Sequence, residues 1–289
     1  MTDVVETLAQ LSVLVFVIAS MFSLGLALTI PQILDPLKNT RLVILAIIAN
    51  FILVPAAALL IAWIIPLDEP VEIGLILLAA AAGAPFLPKL AEAAKGNIAF
   101  SVGLMVLLML VTIIYLPLVI PLFLESVDVN PLEIARSLIV LMLIPLAVGL
   151  LIKARYNETA AKVQPTFAMA ANISLLTLAV LGLVLNFSQM IDLIGSLGIL
   201  AGFLFIVASG VVGFLLGGAD SGTKSVLALG TAQRNLSAAL VVASQNFSSD
   251  VITYIMVIGI IGLVVLMPAA GELGRRFKSL DSESVHEAS

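Results

Sequence analysis

Two basic residues inside long apolar stretches carry the chemistry open to this chain. Arg234 lies in Leu229-Gly230-Thr231-Ala232-Gln233-Arg234-Asn235-Leu236, within an apolar run from about 225 to 247. Helical rise from Lys224 puts it about 15 Å deep, close to the midplane of a bilayer. A cation there costs roughly 3 kcal/mol or more, and Gly230, Thr231, Gln233 and Asn235 beside it weaken a helix. Two readings follow: an arginine held in a structural ion pair, or an interrupted helix that opens into a protein-lined or watery site. Lys89 stands in a similar place, after Gly83-Ala84-Pro85. Pro85 removes a helical donor and clashes with the preceding turn, and Pro88 repeats the effect. The plain alternatives for Lys89 are pairing with Glu92 on one helical face, or snorkelling toward the interface near Lys95. In an open site both cations suit an anion, arginine better because its planar fork binds two oxygens at once. Asn50, a lone amide in Ala49-Asn50-Phe51, reads equally as interhelical glue or as site lining.

The elements that must position these residues are membrane helices. Hydrophobic residues make up 62% of the 289, charged ones 11%, and the mean hydropathy is +1.24. Such a composition describes an all-α polytopic membrane protein rather than a soluble domain. Nine apolar segments are read, at about 7–30, 42–65, 71–94, 98–124, 131–152, 161–187, 191–216, 225–247 and 251–271. Short polar links join them into one membrane unit spanning 1–289, with a flexible tail over 276–289. Residues 1–6 are acidic rather than basic, so the first segment is read as a spanning helix and not as a signal peptide. With the N-terminus outside, Lys38, Arg41, Lys95, Lys153, Arg155, Lys162, Lys224, Arg275, Arg276 and Lys278 all fall inside. Only Arg136 falls outside, among acidic links. That places the chain in the cell membrane with a cytoplasmic C-terminus. The two interrupted segments, third and eighth, are five apart, the spacing of an inverted repeat whose first half lacks its opening helix.

Several chemistries are excluded. The chain has no cysteine, hence no disulfide, iron–sulfur cluster or thiolate metal site. Its one histidine, His286, sits in the polar tail, so neither a metal site nor any cofactor is expected. A net charge of −5 without a basic stripe gives no surface for nucleic acid. Neither paired acids nor a nucleophile with its base lies at membrane depth, so the chain is not read as an enzyme.

The residues also resemble a known family. Met21-Phe22-Ser23-Leu24-Gly25-Leu26-Ala27-Leu28-Thr29, Ala49-Asn50-Phe51-Ile52-Leu53-Val54-Pro55-Ala56 and Lys95-Gly96-Asn97-Ile98-Ala99-Phe100-Ser101-Val102 are similar, in order and spacing, to segments of the bile acid:sodium symporter family. The stretch from Gly230 to Leu240 is similar to its Glu-x-Gly-x-Gln-Asn region. The resemblance implies a secondary transporter of organic anions, with two crossing broken helices in a core domain that moves against a panel domain. It implies a panel over about 7–30 and 131–187, a core over about 42–124 and 191–271, and the nine-helix form of the family.

The residues by which relatives bind sodium are mostly replaced. The family's Ser-Asn pair aligns with Leu87-Pro88, its Glu with Gly230, its Gln with Arg234, and a neighbouring Thr and Gln with Met105 and Asn50. Ser101 persists. Sodium wants several oxygens, preferably one charged, and a second positive charge at about 4 Å would cost on the order of 4 kcal/mol at an effective dielectric near 20. The expectation is that Lys89 and Arg234 stand in for the ions and attract an anion with a carboxylate or sulfate. Asn97, Thr231, Gln233 and Asn235 would supply neutral hydrogen bonds, and half-helix N-termini would add positive potential. Asn50, Glu92 and Ser101 are the candidates for any remaining ion coupling, Glu92 through a proton. Panel segments one, five and six offer almost only Leu, Ile, Val, Ala and Met, which suits a partly apolar anion. The alternatives are a sodium- or proton-coupled symporter with a relocated ion site, and a channel or efflux protein for small anions.

Overall fold

The computed structural model describes residues 2–124, 130–185 and 197–287, and every regular element in them is helical. α1 (Thr2–Ala27) ends at an extended Thr29, whose N–H donates to Gln32 Oε1 at 2.9 Å. The chain then turns by 100° into α2 (Ile30–Leu34) and a short 3-10 turn (Asp35–Lys38). α3 (Thr40–Ile48) passes through a π-helical turn (Ala49–Leu53) into α4 (Val54–Ile64). Pro55 lacks the N–H that the Phe51 carbonyl would accept, and the Tyr115 hydroxyl donates to that carbonyl instead, at 2.7 Å. α5 (Glu69–Ala80) stops, and α6 (Leu87–Ala93) resumes after a non-helical stretch. α7 (Ile98–Phe123) runs through Pro117 and Pro121 without a break.

α8 (Pro131–Leu138) continues through a second π-helical turn (Ile139–Leu143) into α9 (Ile144–Arg155), again with a proline at the second position after the turn. α10 (Asn157–Leu185) and α11 (Gly198–Leu216) follow. α12 (Ser221–Ala232) and α13 (Leu236–Asn246) are separated by Gln233–Asn235 in non-helical conformation, and α14 (Ser249–Glu287) closes the chain. The tail expected to be flexible from 276 is helical to Glu287; it contains no proline or glycine to stop the helix.

Among the described residues six helical stretches are long and apolar enough to cross a membrane, or up to seven if α1 and its bent continuation count together. The expected first, third and sixth segments are not among the six: the first bends at Thr29, the third is divided into α5 and α6, and the sixth is α10. The end of the sixth segment and the start of the seventh, at 191–196, lie outside the described residues. Two groups of helices pack internally. α1, α9 and α10 form one, where Gly25 and Gly149 let two backbones touch: a Cβ on Gly25 would lie 2.3 Å from the Leu146 carbonyl oxygen. Phe22 and Phe167 meet edge-on at 4.6 Å in the same group. The other group surrounds α5, α12 and α13, and the Ser221–Asn246 stretch is 94% buried, the most enclosed of the six.

Candidate functional site

The two interruptions meet. The backbone N–H of Asn235 donates to the Ala81 carbonyl at 2.9 Å, and its side-chain amide donates to Gly83 O at 3.0 Å. Asn235 Oδ1 caps α13 by accepting from Ala238 N at 3.1 Å. Thr112 of α7 serves both groups of the residue between them, accepting from Ala82 N and donating to Ala82 O at 3.0 and 3.1 Å. The carbonyls of Ala81, Ala82 and Gly83 are therefore satisfied by the backbone and side chain of Asn235 and by Thr112 of α7, as buried backbone requires. Gly83 has φ +80, and a Cβ there would lie 2.2 Å from Met109 N, so both its conformation and its contact with α7 demand glycine.

Arg234 fills the crossing. It is 5% exposed. Its Nε donates to Leu78 O at 2.9 Å and Nη2 to Ala79 O at 2.6 Å, both in the last turn of α5. Its Nη1 donates to Thr231 O at 3.1 Å, in the last turn of α12, and to Asn50 Oδ1 at 2.9 Å. Asn50 is oriented in turn by donating to Ala46 O and to Thr231 Oγ1, at 3.0 and 3.3 Å. Each helix C-terminus carries about half a negative charge. Two of them converge on one guanidinium, so the charges balance without any carboxylate. The bidentate anion clamp expected from the sequence is not available in this geometry, because these four bonds leave a single Nη2–H.

The place aligned with the family's carboxylate is filled by hydrocarbon. A Cβ on Gly230 would lie 2.8 Å from Leu87 Cδ2 and 3.6 Å from Leu104 Cδ2, and both leucines are fully buried. Lys89 is elsewhere: its side chain is 70% exposed and its Nζ lies 3.5 Å from Glu92 Oε2. It does not share the carbonyls with Arg234, so one of the two cations expected at the crossing lies there and the other does not.

A cavity of about 390 Å³ joins Lys89 to the crossing. Its walls are α1 and α10 on one side and the two interruptions on the other, with Gln233, Arg234 and Ser237 at the crossing end. Gln233 Oε1 and Ser237 Oγ are buried without a hydrogen-bond partner, the condition of polar groups that await a ligand or water. Of the remaining expected residues, Asn97 is an exposed N-cap of α7, accepting from Phe100 N at 2.9 Å, and Ser101 donates to Ile98 O within α7. Neither lines the cavity. Sequence reasoning missed its polar residues on α1 and α10: Ser20, Ser23, Gln164 and Asn172, of which Gln164 donates to Ser23 Oγ at 3.0 Å. Their signal was present, since Ser20 and Ser23 are about one turn apart, and Gln164, Ala168, Asn172 and Leu175 recur at steps of four, four and three on the facing helix.

Residues 14–195 match the sodium bile acid symporter family. The chain belongs to that family. Symporter-family members are transporters, and this one is a multi-pass membrane protein of apolar helices. A Bacillus subtilis (strain 168) protein described as an uncharacterized sodium-dependent transporter, YocS, is 29% identical over 143 residues, 49% of this chain and 44% of that protein. The match thus spans under half of that relative's length. The family match includes the first interruption but ends before the second, where Arg234 lies.

Proposed function

We propose that this chain is a secondary transporter of partly apolar organic anions, carrying a carboxylate or sulfate, and that it needs no sodium at its crossing. The observation that carries the reading is Arg234, a tethered cation bound to three carbonyls of two helix C-termini. Those are the ligands and the negative dipole ends that a free cation would otherwise take. A carbonyl cage already holding a guanidinium has neither room nor unpaid negative charge for sodium. The place beside Gly230, where the resemblance sets the family's Glu, is closed by Leu87.

In this reading α1, α8, α9 and α10 form the panel and the remaining helices the core. The nine segments form an inverted repeat, with the N-terminus outside and the basic links inside. The anion lies in the cavity between panel and core, its apolar body against Phe16, Leu24 and Leu175. Lys89 attracts it. Ser237 Oγ–H, the free N–H groups at the start of α13 and the Gln233 amide receive its charged end. Arg234 acts on the substrate through the fixed charge it places beside that end. The core then moves against the panel and exposes the cavity to the other side, driven by the anion's own gradient or by protons.

The test is uptake of labelled cholate and smaller carboxylates by proteoliposomes, with a sodium or a choline gradient. The reading expects equal uptake in both. Uptake that collapses without sodium would remove the surrogate-cation part, and single-channel currents would replace the carrier by a pore.

A further inference from the structure

A second cavity, of about 470 Å³, opens farther along α13, beside α8. Its walls are Leu14 of α1, Glu133, Arg136 and Ser137 of α8, Val140 and Leu141 of the π-helical turn, and Gln245 of α13. α13 joins the two cavities. Ser237 lines the first and Gln245 the second, eight residues and about 12 Å apart along the axis. Between Ser237 and Gln245, Val241 and Val242 of α13 are fully buried.

The second cavity has one cation, Arg136, and one carboxylate, Glu133, among its lining residues. Arg136 is exposed and makes no ion pair or hydrogen bond among the described residues. Glu133 accepts from Asn130 Nδ2 at 3.4 Å, and the Ser137 hydroxyl turns back on its own helix, donating to Glu133 O and Ile134 O at 2.8 and 3.0 Å. Arg234 differs: its guanidinium gives four hydrogen bonds to protein, whereas that of Arg136 gives none among the described residues.

We propose that this cavity is an anion-receiving site in which Arg136 holds a carboxylate or sulfonate and Leu14, Val140 and Leu141 hold the adjoining apolar part. A free planar fork fits such a group with two parallel bonds. The site shares α1 and α13 with the first cavity: Leu14 and Gln245 line it, as Phe16 and Ser237 line the first. Its place in a transport cycle rests on the proposed function; its charge and occupancy do not.

The chain contains no cysteine, which permits a direct test. Gln245→Cys and, separately, Val140→Cys are reacted with a sulfonate-bearing and a trimethylammonium-bearing methanethiosulfonate of equal size. The site predicts that the sulfonate reagent is favoured by about tenfold relative to the same cysteine combined with Arg136→Gln, as expected for focusing by a local charge. It also predicts that millimolar cholate slows both reactions. A reagent ratio unchanged by Arg136→Gln, or no protection by cholate at either cysteine, overturns the proposal. Failure of cholate uptake in proteoliposomes, with the labelling pattern intact, counts against the transport reading alone.

Discussion

At the interruption between α5 and α6 the basic residue is displayed to a cavity, while at the interruption between α12 and α13 it is enclosed. Lys89 faces water with 70% of its side chain exposed and one long contact to Glu92. Arg234 is 5% exposed and gives four hydrogen bonds, three of them to backbone carbonyls. The difference follows from which end of a half-helix each residue meets. Arg234 follows α12 and turns toward two C-termini, where a cation is stabilised; Lys89 lies inside α6, beyond the N-terminus, where a second fixed cation would be repelled. One interruption thus holds its charge as part of the frame, and the other offers it to solutes.

That comparison can be broken at either side. The largest effect is expected for Arg234→Leu, which leaves Ala79 O, Thr231 O and Asn50 Oδ1 without the donor they have now, and Leu78 O with only the Ala81 N–H at 3.2 Å. Removing a buried charge with its hydrogen bonds costs about 3–5 kcal/mol. The purified variant should melt far below the parent in detergent and carry no cholate. Gly83→Ala comes next, at about 3 kcal/mol, from a positive φ combined with overpacking against Met109; the same melting assay reads it. Asn235→Ala should cost about 2 kcal/mol, since it removes a helix cap and the bond to Gly83 O. The smallest stability effect belongs to Lys89→Gln, below about 0.5 kcal/mol because its ion pair is exposed. Its consequence should appear in transport, as a KM raised by about tenfold with maximal rate unchanged, the value of one charge-assisted contact. A Lys89 variant that unfolds, or an Arg234 variant that does not, would reverse the assignment.

Much of this frame was legible in the chain. Gly83-Ala84-Pro85 marks the first interruption, where Gly83 has φ +80 and Pro85 lacks a donor, whereas Gly230 lies inside α12, which ends two residues later at Ala232. The depth of Arg234 follows from counting helical rise. Its partners were not legible, since Leu78, Ala79 and Thr231 contribute carbonyls that every residue possesses. For the same reason the anion clamp was misjudged: side-chain type shows what an arginine can bind, not what already binds it. Lys89 was expected at the crossing because its segment resembles that of Arg234, yet which face of a seven-residue helix meets the cavity depends on where α1 and α10 pack. Asn97 was read as a ligand, though an asparagine just ahead of a long apolar helix is first of all a cap. The polar lining from Ser20, Ser23, Gln164 and Asn172 was overlooked because it is dilute among apolar neighbours and emerges only when two helices face each other.

The central claim, that a side chain fills the place of an ion, is tested most directly by the melting temperature of the purified protein titrated with sodium against choline at constant ionic strength. Any ion that binds the folded state alone must raise it, by about 2.7 kcal/mol at a hundredfold excess over its dissociation constant. The account predicts superimposable melting curves in the two salts up to several hundred millimolar. A saturable rise of several degrees specific to sodium would contradict it.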